Sequence, residues 1–258
     1  MKRSLLDKIK RLLPVRVRYW LGEKRVQLGR RTAWADRLVE FSELRRLTPY
    51  RQAYGWFRGQ CVDRYYIEQF LESHESAIRG VVLEIAEPMY ATKFGGAAVE
   101  RIEVLDLDAA NPKATIIADL TCAGAVADSA FDAIICTQTL HCIYDFEAAF
   151  RELHRMLKPG GTLLVTVPGI AQLCPPEMMG AGHDYWRFTG QSVTELARRV
   201  FGKTTIGVRT FGNVYASIAF LHGLVATELS REELDFHDSA YEVVIGLAAR
   251  KAAPADTP

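Results

Sequence analysis

The chain is short of cysteine, of phosphate-loop glycine and of long apolar runs, and each shortage removes a class of protein. Its five cysteines, Cys61, Cys122, Cys136, Cys142 and Cys174, form no Cys-x-x-Cys pair. An odd count without paired spacing argues against a disulfide framework or a zinc site, and no metal is expected. It also argues for a reducing compartment, so the expected localisation is cytoplasmic. No apolar run reaches the ~20 residues that span a bilayer. Pro14 and scattered arginines interrupt the first apolar segment, so no secretory leader is expected. There is no Gly-x-Gly-x-x-Gly and no Tyr-x-x-x-Lys. A dinucleotide's pyrophosphate needs a glycine turn and the amides of a helix start, so an NAD- or nucleotide-sugar-dependent oxidoreductase is disfavoured.

What remains suits one α/β domain with an extension: 258 residues, 49% hydrophobic and 24% charged. The net charge of +1 hides an asymmetry. Residues 1–31 hold 11 Lys and Arg against Asp7 and Glu23, a net +9, so the rest of the chain is mildly acidic at −8. Leu5, Leu6, Ile9, Leu12 and Leu13 share one helical face within residues 1–13. A basic amphipathic helix of this kind lies on an anionic membrane surface, here the inner one, or packs on the body or a partner chain. Nucleic acid is disfavoured as a partner, because no aromatic platform is interleaved and the body is acidic. The expected organisation is a basic helical extension over 1–59, with a further possible helix at 34–46. A catalytic-type domain follows over 60–251, and a disordered tail over 252–258.

The domain is organised around residues 129–169. Phe131–Cys136 is a nearly unbroken apolar run, as a strand covered on both faces should be. Asp145 offers an N-cap with Glu147 in the first turn. Phe146, Ala149, Phe150, Leu153, Met156 and Leu157 fall on one helical face. Lys158 is placed in the last turn, and Pro159-Gly160-Gly161 stops the helix before a second strand at Thr162–Val167. This is a right-handed parallel βαβ unit. Ligands of such sheets sit beyond the carboxyl ends of the strands, which points to Thr137, Gln138 and His141 after the first strand and Pro168-Gly169 after the second.

The stretch FDAIICTQTLHCIYDFEAAFRELHRMLKPGGTLLVTVP resembles the second half of a class I S-adenosylmethionine (SAM)-dependent methyltransferase. In that family an "FD" strand precedes a helix ending in "LKPGG" and a further strand. The resemblance covers roughly residues 60–251. It implies a Rossmann-like, seven-stranded, mostly parallel sheet with helices on both faces, SAM as cofactor, and a terminal antiparallel strand.

Val81–Ala86 reads as the first strand. The family's loop there is an acidic residue followed by Gly-x-Gly-x-Gly, whereas this chain has Glu84, Ala86, Glu87 and Pro88, a degenerate glycine loop. Ala86 and Glu87 carry Cβ atoms, and Pro88 has no N–H to donate. SAM carries no phosphate and is cationic at sulfur, a charge that Glu84 and Glu87 favour. The second strand, Arg101–Leu107, ends in Asp106-Leu107-Asp108, and either carboxylate can accept ribose hydroxyls there. A third strand at Ala114–Ala118 leads to Asp119 and Leu120, where the resemblance implies contact with the adenine. It also implies that the helix before the first strand, 61–72 with its cap at Asp63, helps hold the methionine end through Arg64 and Tyr66; equally, this is an ordinary surface helix start with Tyr66 in the core.

Residues 168–189 form a long loop at the carboxyl edge, with Pro175-Pro176 and possible hinges at Gly180 and Gly182, and loops of this length are usually functional. Within it, HDYWRFT resembles a segment of methyltransferases of sugar and cell-surface polysaccharide pathways. Tyr185, Trp186 and Arg187 are candidate acceptor-binding residues, with Gln138. Equally, Trp186 and Phe188 can plug the core while Arg187 forms a structural ion pair. Ser192-x-x-Glu195 reads as a capping box, Thr204–Thr210 as a strand, Ala216–Leu229 as an apolar helix and Tyr241–Lys251 as the final strand. The expected activity is O-methylation of a saccharide or lipid-linked saccharide. His183 or His141 serves as general base and Asp184 orients the former. The alternative is a methyltransferase-fold scaffold that partners a glycan-synthesis enzyme without catalysis.

Overall fold

The computed structural model describes residues 46–174, 183–202 and 206–253. The expected helix at 1–13, all but the last residue of the one at 34–46, Pro175, Pro176, Gly180, Gly182 and the tail beyond Ala253 lie outside the described residues. The compact unit that carries the sheet begins at Thr48. A 3-10 turn at Ala53–Arg58 precedes Val62–Glu72 (α1), Gly80–Ile85 (β1), Met89–Gly95 (α2), Val99–Asp106 (β2), Ile116–Ile117 (β3) and Phe131–Thr137 (β4). Then come Phe146–Met156 (α3), Leu157–Pro168 (β5), Gly190–Phe201 (α4), Ile206–Phe211 (β6), Val214–Leu221 (α5), Arg231–Asp235 (α6) and Val244–Arg250 (β7).

The seven strands form one sheet in the order β3-β2-β1-β4-β5-β7-β6. β7 runs antiparallel to both neighbours, and the remaining pairings are parallel. The chain moves outward from β1 to β3 and then crosses back to β4, so the order reverses between β1 and β4. Open α/β sheets bind ligands beyond the carboxyl ends of the strands at such a reversal.

Successive side chains of each strand enter opposite cores, as the two-residue period requires. Leu83, Ile134, Leu163 and Leu247 face α3 and α4, meeting Phe150, Leu153, Met156, Val193 and Leu196. Val82, Ile135, Leu164 and Val244 face α1 and α5, meeting Tyr66, Ile67, Phe70, Ala216 and Phe220. Two buried faces explain why β4 and β5 read as unbroken apolar runs.

The differences from the sequence reading each have a cause in the structure. α3 is capped by Asp145, whose side chain accepts the Ala148 amide, but it ends at Met156 rather than Lys158. A residue before proline disfavours helical backbone, and Leu157 already pairs with Phe131 in the sheet. Lys158–Gly161 then bulge outward before Thr162 pairs with Ala133, and Gly160 takes φ +79° in that bulge. Cys61, not Asp63, holds the cap position of α1, because an antiparallel bridge to Val225 keeps Cys61 extended. The capping box of α4 is Thr189 with Ser192, three residues upstream of the expected Ser192–Glu195 pair. The Gly190 amide is held by Glu242 at 2.8 Å, which starts the helix earlier. The helix read over Ala216–Leu229 stops at Leu221, since Gly223 turns the chain at φ +71° toward the Val225 bridge.

Candidate active site

The first wall of the site is the β1–α2 connection. Glu84 is buried, and its carboxylate accepts the amides of Tyr90 and Ala91 at 2.9 and 2.7 Å, tying the start of α2 back to β1. Burial pushes its carboxyl up to about 7, against the pull of those two amides and with Glu87 adding to the rise. Ala86 takes φ +69°, the left-handed region that normally favours glycine. Its N–H donates to the Leu105 carbonyl at 2.9 Å. The connection therefore makes a left-handed turn, of the sort a glycine allows, without a glycine at this position. Glu87 is exposed and pairs with Lys113 at 3.2 Å.

Asp106 is the last residue of β2. It accepts the Asp108 amide through Oδ1 at 2.9 Å and Asn111 Nδ2 through Oδ2 at 2.6 Å. The same Asn111 amide reaches the Ala86 carbonyl at 2.8 Å and so joins the first two strand ends. Asp108 is exposed and caps its own turn by accepting the Ala110 amide. Past β3, Asp119 is exposed and accepts the Thr121 amide and hydroxyl through Oδ1, while Leu120 is buried in the core.

The opposite wall follows β4. Thr137 ends the strand, and its carbonyl accepts the Thr139 hydroxyl at 3.0 Å. Gln138 adopts φ +45°, and its Nε2 is buried without a hydrogen-bond partner. His141 is only 8% exposed, and its Nδ1 is likewise buried and unpartnered. Its Nε2 lies 3.3 Å from Cys142 Sγ. Burial pushes the imidazole down to about 4, with Asp184 pulling the other way, so His141 is neutral at physiological pH. Gln138 and His141 share a small cavity of about 30 Å³ with Tyr54, Asp63 and Arg187. Burial raises the Asp63 carboxyl, against the opposing pull of Arg64.

The loop's polar cluster resolves into parts. Asp184 and Arg187 pair at 2.5 and 2.9 Å, and Asp184 also accepts the Cys174 amide at 2.8 Å. The Arg187 guanidinium also donates to the Gln172 carbonyl at 2.6 Å, so it braces the loop. Trp186 packs against Phe146 and Tyr144, and its Nε1 donates to the Ile143 and Tyr144 carbonyls. The amides of Tyr185 and Trp186 both donate to the His141 carbonyl, at 2.9 and 3.2 Å, clipping the loop to the end of β4. His183 is exposed and stacks on Tyr185 with ring centroids 5.6 Å apart, and Tyr185 meets Tyr144 edge-on at 5.4 Å. Asp184 thus serves Arg187 and Cys174 and shows no bond to His183.

At the start of the domain, Arg64 donates to the Tyr90 hydroxyl at 3.2 Å, close to the β1–α2 connection. Tyr66 does not join it. Its ring is buried against Phe211, and its hydroxyl donates to the Leu234 carbonyl at 2.9 Å. Sequence reasoning missed Tyr54, Asp63 as a cavity wall, and Asn111.

These groups suit SAM. A carboxylate that could accept ribose hydroxyls ends β2, a left-handed turn follows β1, and buried polar atoms of Gln138 and His141 lack partners beyond β4. Among the described residues, Asp106, the Ala86–Glu87 turn, Asp119, Thr137 and Arg64 could hold it, whereas Leu120 is buried in the core.

Residues 81–165, about a third of the chain, match a family model described as a methyltransferase domain. A 74-residue stretch is 36% identical to the uncharacterized protein YafE of Escherichia coli, covering 28% of this chain and 31% of that protein. The chain therefore spans about a third of the length of that relative. Among solved structures, a SAM-dependent methyltransferase from Archaeoglobus fulgidus shares the fold. It has a TM-score of 0.50 and 10% identity, over 76% of this chain and 96% of that one. A SAM-dependent methyltransferase from Mesorhizobium loti is 18% identical over 74% of this chain and 98% of that one, with a TM-score of 0.46. Residues 81–165 thus match a methyltransferase domain, on a fold shared with a solved SAM-dependent methyltransferase.

Proposed function

We propose that the protein O-methylates a saccharide or a lipid-linked saccharide. The observation that carries this reading is His141, neutral and buried beyond the end of β4, which lines the cavity and leaves Nδ1 without a partner. Bound SAM supplies an electrophilic methyl group on its sulfonium. Asp106 would accept the ribose hydroxyls and Asp119 the adenine amine, and the grip of Glu84 on α2 fixes the β1–α2 turn. His141 takes the acceptor's proton, with Asp63 on the same cavity as the second proton-accepting group. His183, exposed on the loop, belongs to the acceptor rim. Tyr144 and Tyr185, exposed and edge-to-face, offer an apolar platform for a sugar ring in place of Trp186, whose ring is packed away. The cavity is narrow, so it suits the reacting hydroxyl while the ring stays on the rim.

The test is transfer of labelled methyl from SAM to free sugars, nucleotide sugars and lipid-linked oligosaccharides. Label that enters the saccharide and survives mild alkali is an ether and supports the reading. Label lost in alkali marks an ester, and label on nitrogen marks an amine, and either contradicts it.

One observation favours a scaffold without catalysis. Asn111 already bonds the Asp106 carboxylate and the Ala86 carbonyl, so a donor has to share or displace that amide. Donor binding separates the two readings.

A further inference from the structure

His141 and Cys142 are neighbours in the single 3-10 turn Leu140–Cys142 that follows β4. The backbone of that turn is clamped by the loop, because the His141 carbonyl takes the Tyr185 and Trp186 amides. Among the described residues the imidazole makes one hydrogen bond, between Nε2 and Cys142 Sγ at 3.3 Å, while Nδ1 is buried and bonded to nothing. No carboxylate fixes the ring. Asp184 is engaged by Arg187 and the Cys174 amide, and Asp63 lines the cavity with His141 without a bond to it. Burial pushes the Cys142 thiol up to about 12, so the sulfur stays a neutral thiol. A neutral imidazole carries its proton on one nitrogen, and the hydrogen bond at the other nitrogen or at that proton decides which.

We infer that Cys142 is a positioning residue for His141: its sulfur accepts the Nε2–H and so leaves Nδ1 as the bare, proton-accepting nitrogen. The groups that share the cavity favour this tautomer. Gln138 Nε2 is buried, unpartnered and able only to donate, and the Arg187 guanidinium on the same cavity is a donor too. The opposite tautomer would strand a buried N–H among donors, whereas a bare nitrogen is ready for the proton of a hydroxyl. A thiol is a weak, uncharged acceptor. It selects the tautomer without adding a negative charge that would protonate the ring before the acceptor arrives. The catalytic purpose rests on the O-methylation reading above; the tautomer itself does not. In that reaction the hydroxyl proton passes to Nδ1 while the oxygen bonds the methyl carbon and the carbon–sulfur electron pair leaves with sulfur. The Nε2–H stays on Cys142 throughout.

The test is NMR of the ring nitrogens in the isotope-labelled full chain at neutral pH, with neither donor nor acceptor added. The His141 signals are identified by their loss in His141→Phe. The wild-type ring is expected to be protonated at Nε2 and bare at Nδ1. Cys142→Ser, whose hydroxyl accepts a hydrogen bond more strongly, is expected to keep that tautomer. Cys142→Ala is expected to shift the ratio of the two tautomers roughly three- to tenfold toward Nδ1–H, the weight of one ordinary hydrogen bond. Cys142→Val serves the same purpose if the alanine variant is unstable. In turnover, Cys142→Ala is expected to lower kcat by up to about tenfold with the KM for SAM unchanged, and Cys142→Ser to stay near wild type. A wild-type ring protonated at Nδ1 overturns the inference, and so does a Cys142→Ala or Cys142→Val ring with the wild-type ratio. If the spectra come out as expected and no saccharide is methylated, the assignment of Cys142 stands and the O-methylation reading fails.

Discussion

Glu84 and Ala91 are seven residues apart in sequence and meet through one hydrogen bond of 2.7 Å, with the Tyr90 amide on the other carboxylate oxygen at 2.9 Å. That bond ties the start of α2 to β1, while burial sets the response of the carboxyl to pH. Burial raises the folded carboxyl to about 7, whereas an unfolded glutamate titrates near ~4.3. Between these values the folded state holds the extra proton, so the contribution to stability is complete below the lower value and is lost as pH rises to the upper one.

Glu84→Gln removes that titration. One amide faces a side-chain NH₂ instead of an acceptor, which costs about 1–3 kcal/mol at pH 5. The gap between wild type and variant should narrow as pH rises from 5 to 7, as read by urea unfolding at each pH. A gap that stays constant would mean Glu84 titrates as an exposed acid.

Ala86→Gly relieves a left-handed alanine, worth roughly 1–2 kcal/mol, and offsets it with the greater freedom of an unfolded glycine. The expected result is a protein as stable as wild type or up to about 1 kcal/mol more stable, measured by denaturant midpoint. A clear loss of stability would show that the Ala86 methyl group packs in the turn.

Asp184 and Arg187 act as one brace. The Asp184 side chain is nearly buried and the Arg187 side chain about three-quarters so, so removing either partner leaves the other short of hydrogen bonds. Asp184→Asn or Arg187→Met should each cost about 1–3 kcal/mol, and the double variant should cost less than the sum. Additive losses would show that the two residues support the loop separately.

His141 should titrate near pH 4 in the folded protein, followed by the NMR shifts of its ring protons. Its folded value lies below the unfolded one of about 6.5. The contribution to stability is therefore present above that value and lost as pH falls through the folded one. A midpoint near 6.5 would mean the ring is solvated and the cavity open. In turnover, His141→Phe should lose about 10²–10⁴-fold, and His183→Ala should lose far less. The reverse ranking would move the base to the loop.

Much of the sheet was legible because buried strands write themselves as short apolar runs, and Asp145, Glu84 and Asp106 mark helix starts and strand ends by charge. Three of the misplaced boundaries involve distant partners. Glu242 starts α4 early, Val225 keeps Cys61 extended, and Phe131 draws Leu157 out of α3. The site was legible where one strand end carries it. It was not legible where separate segments meet, as when α1 brings Asp63 beside His141, or when Asn111 spans two strand ends. An ion pair at Arg187 was anticipated only as an alternative to acceptor binding, and Asp184 as its partner was not, because spacing along a loop does not show which groups turn toward each other.

Calorimetric titration of the full chain with SAM tests the central claim most directly, with S-adenosylhomocysteine and NAD as comparisons. The account predicts saturable heat with the first two and none with NAD. It also predicts a loss of roughly 1–3 kcal/mol in donor affinity for Asp106→Ala and for Asp119→Ala. No heat and no thermal shift with SAM or S-adenosylhomocysteine at millimolar concentration would contradict it and leave the fold as a scaffold.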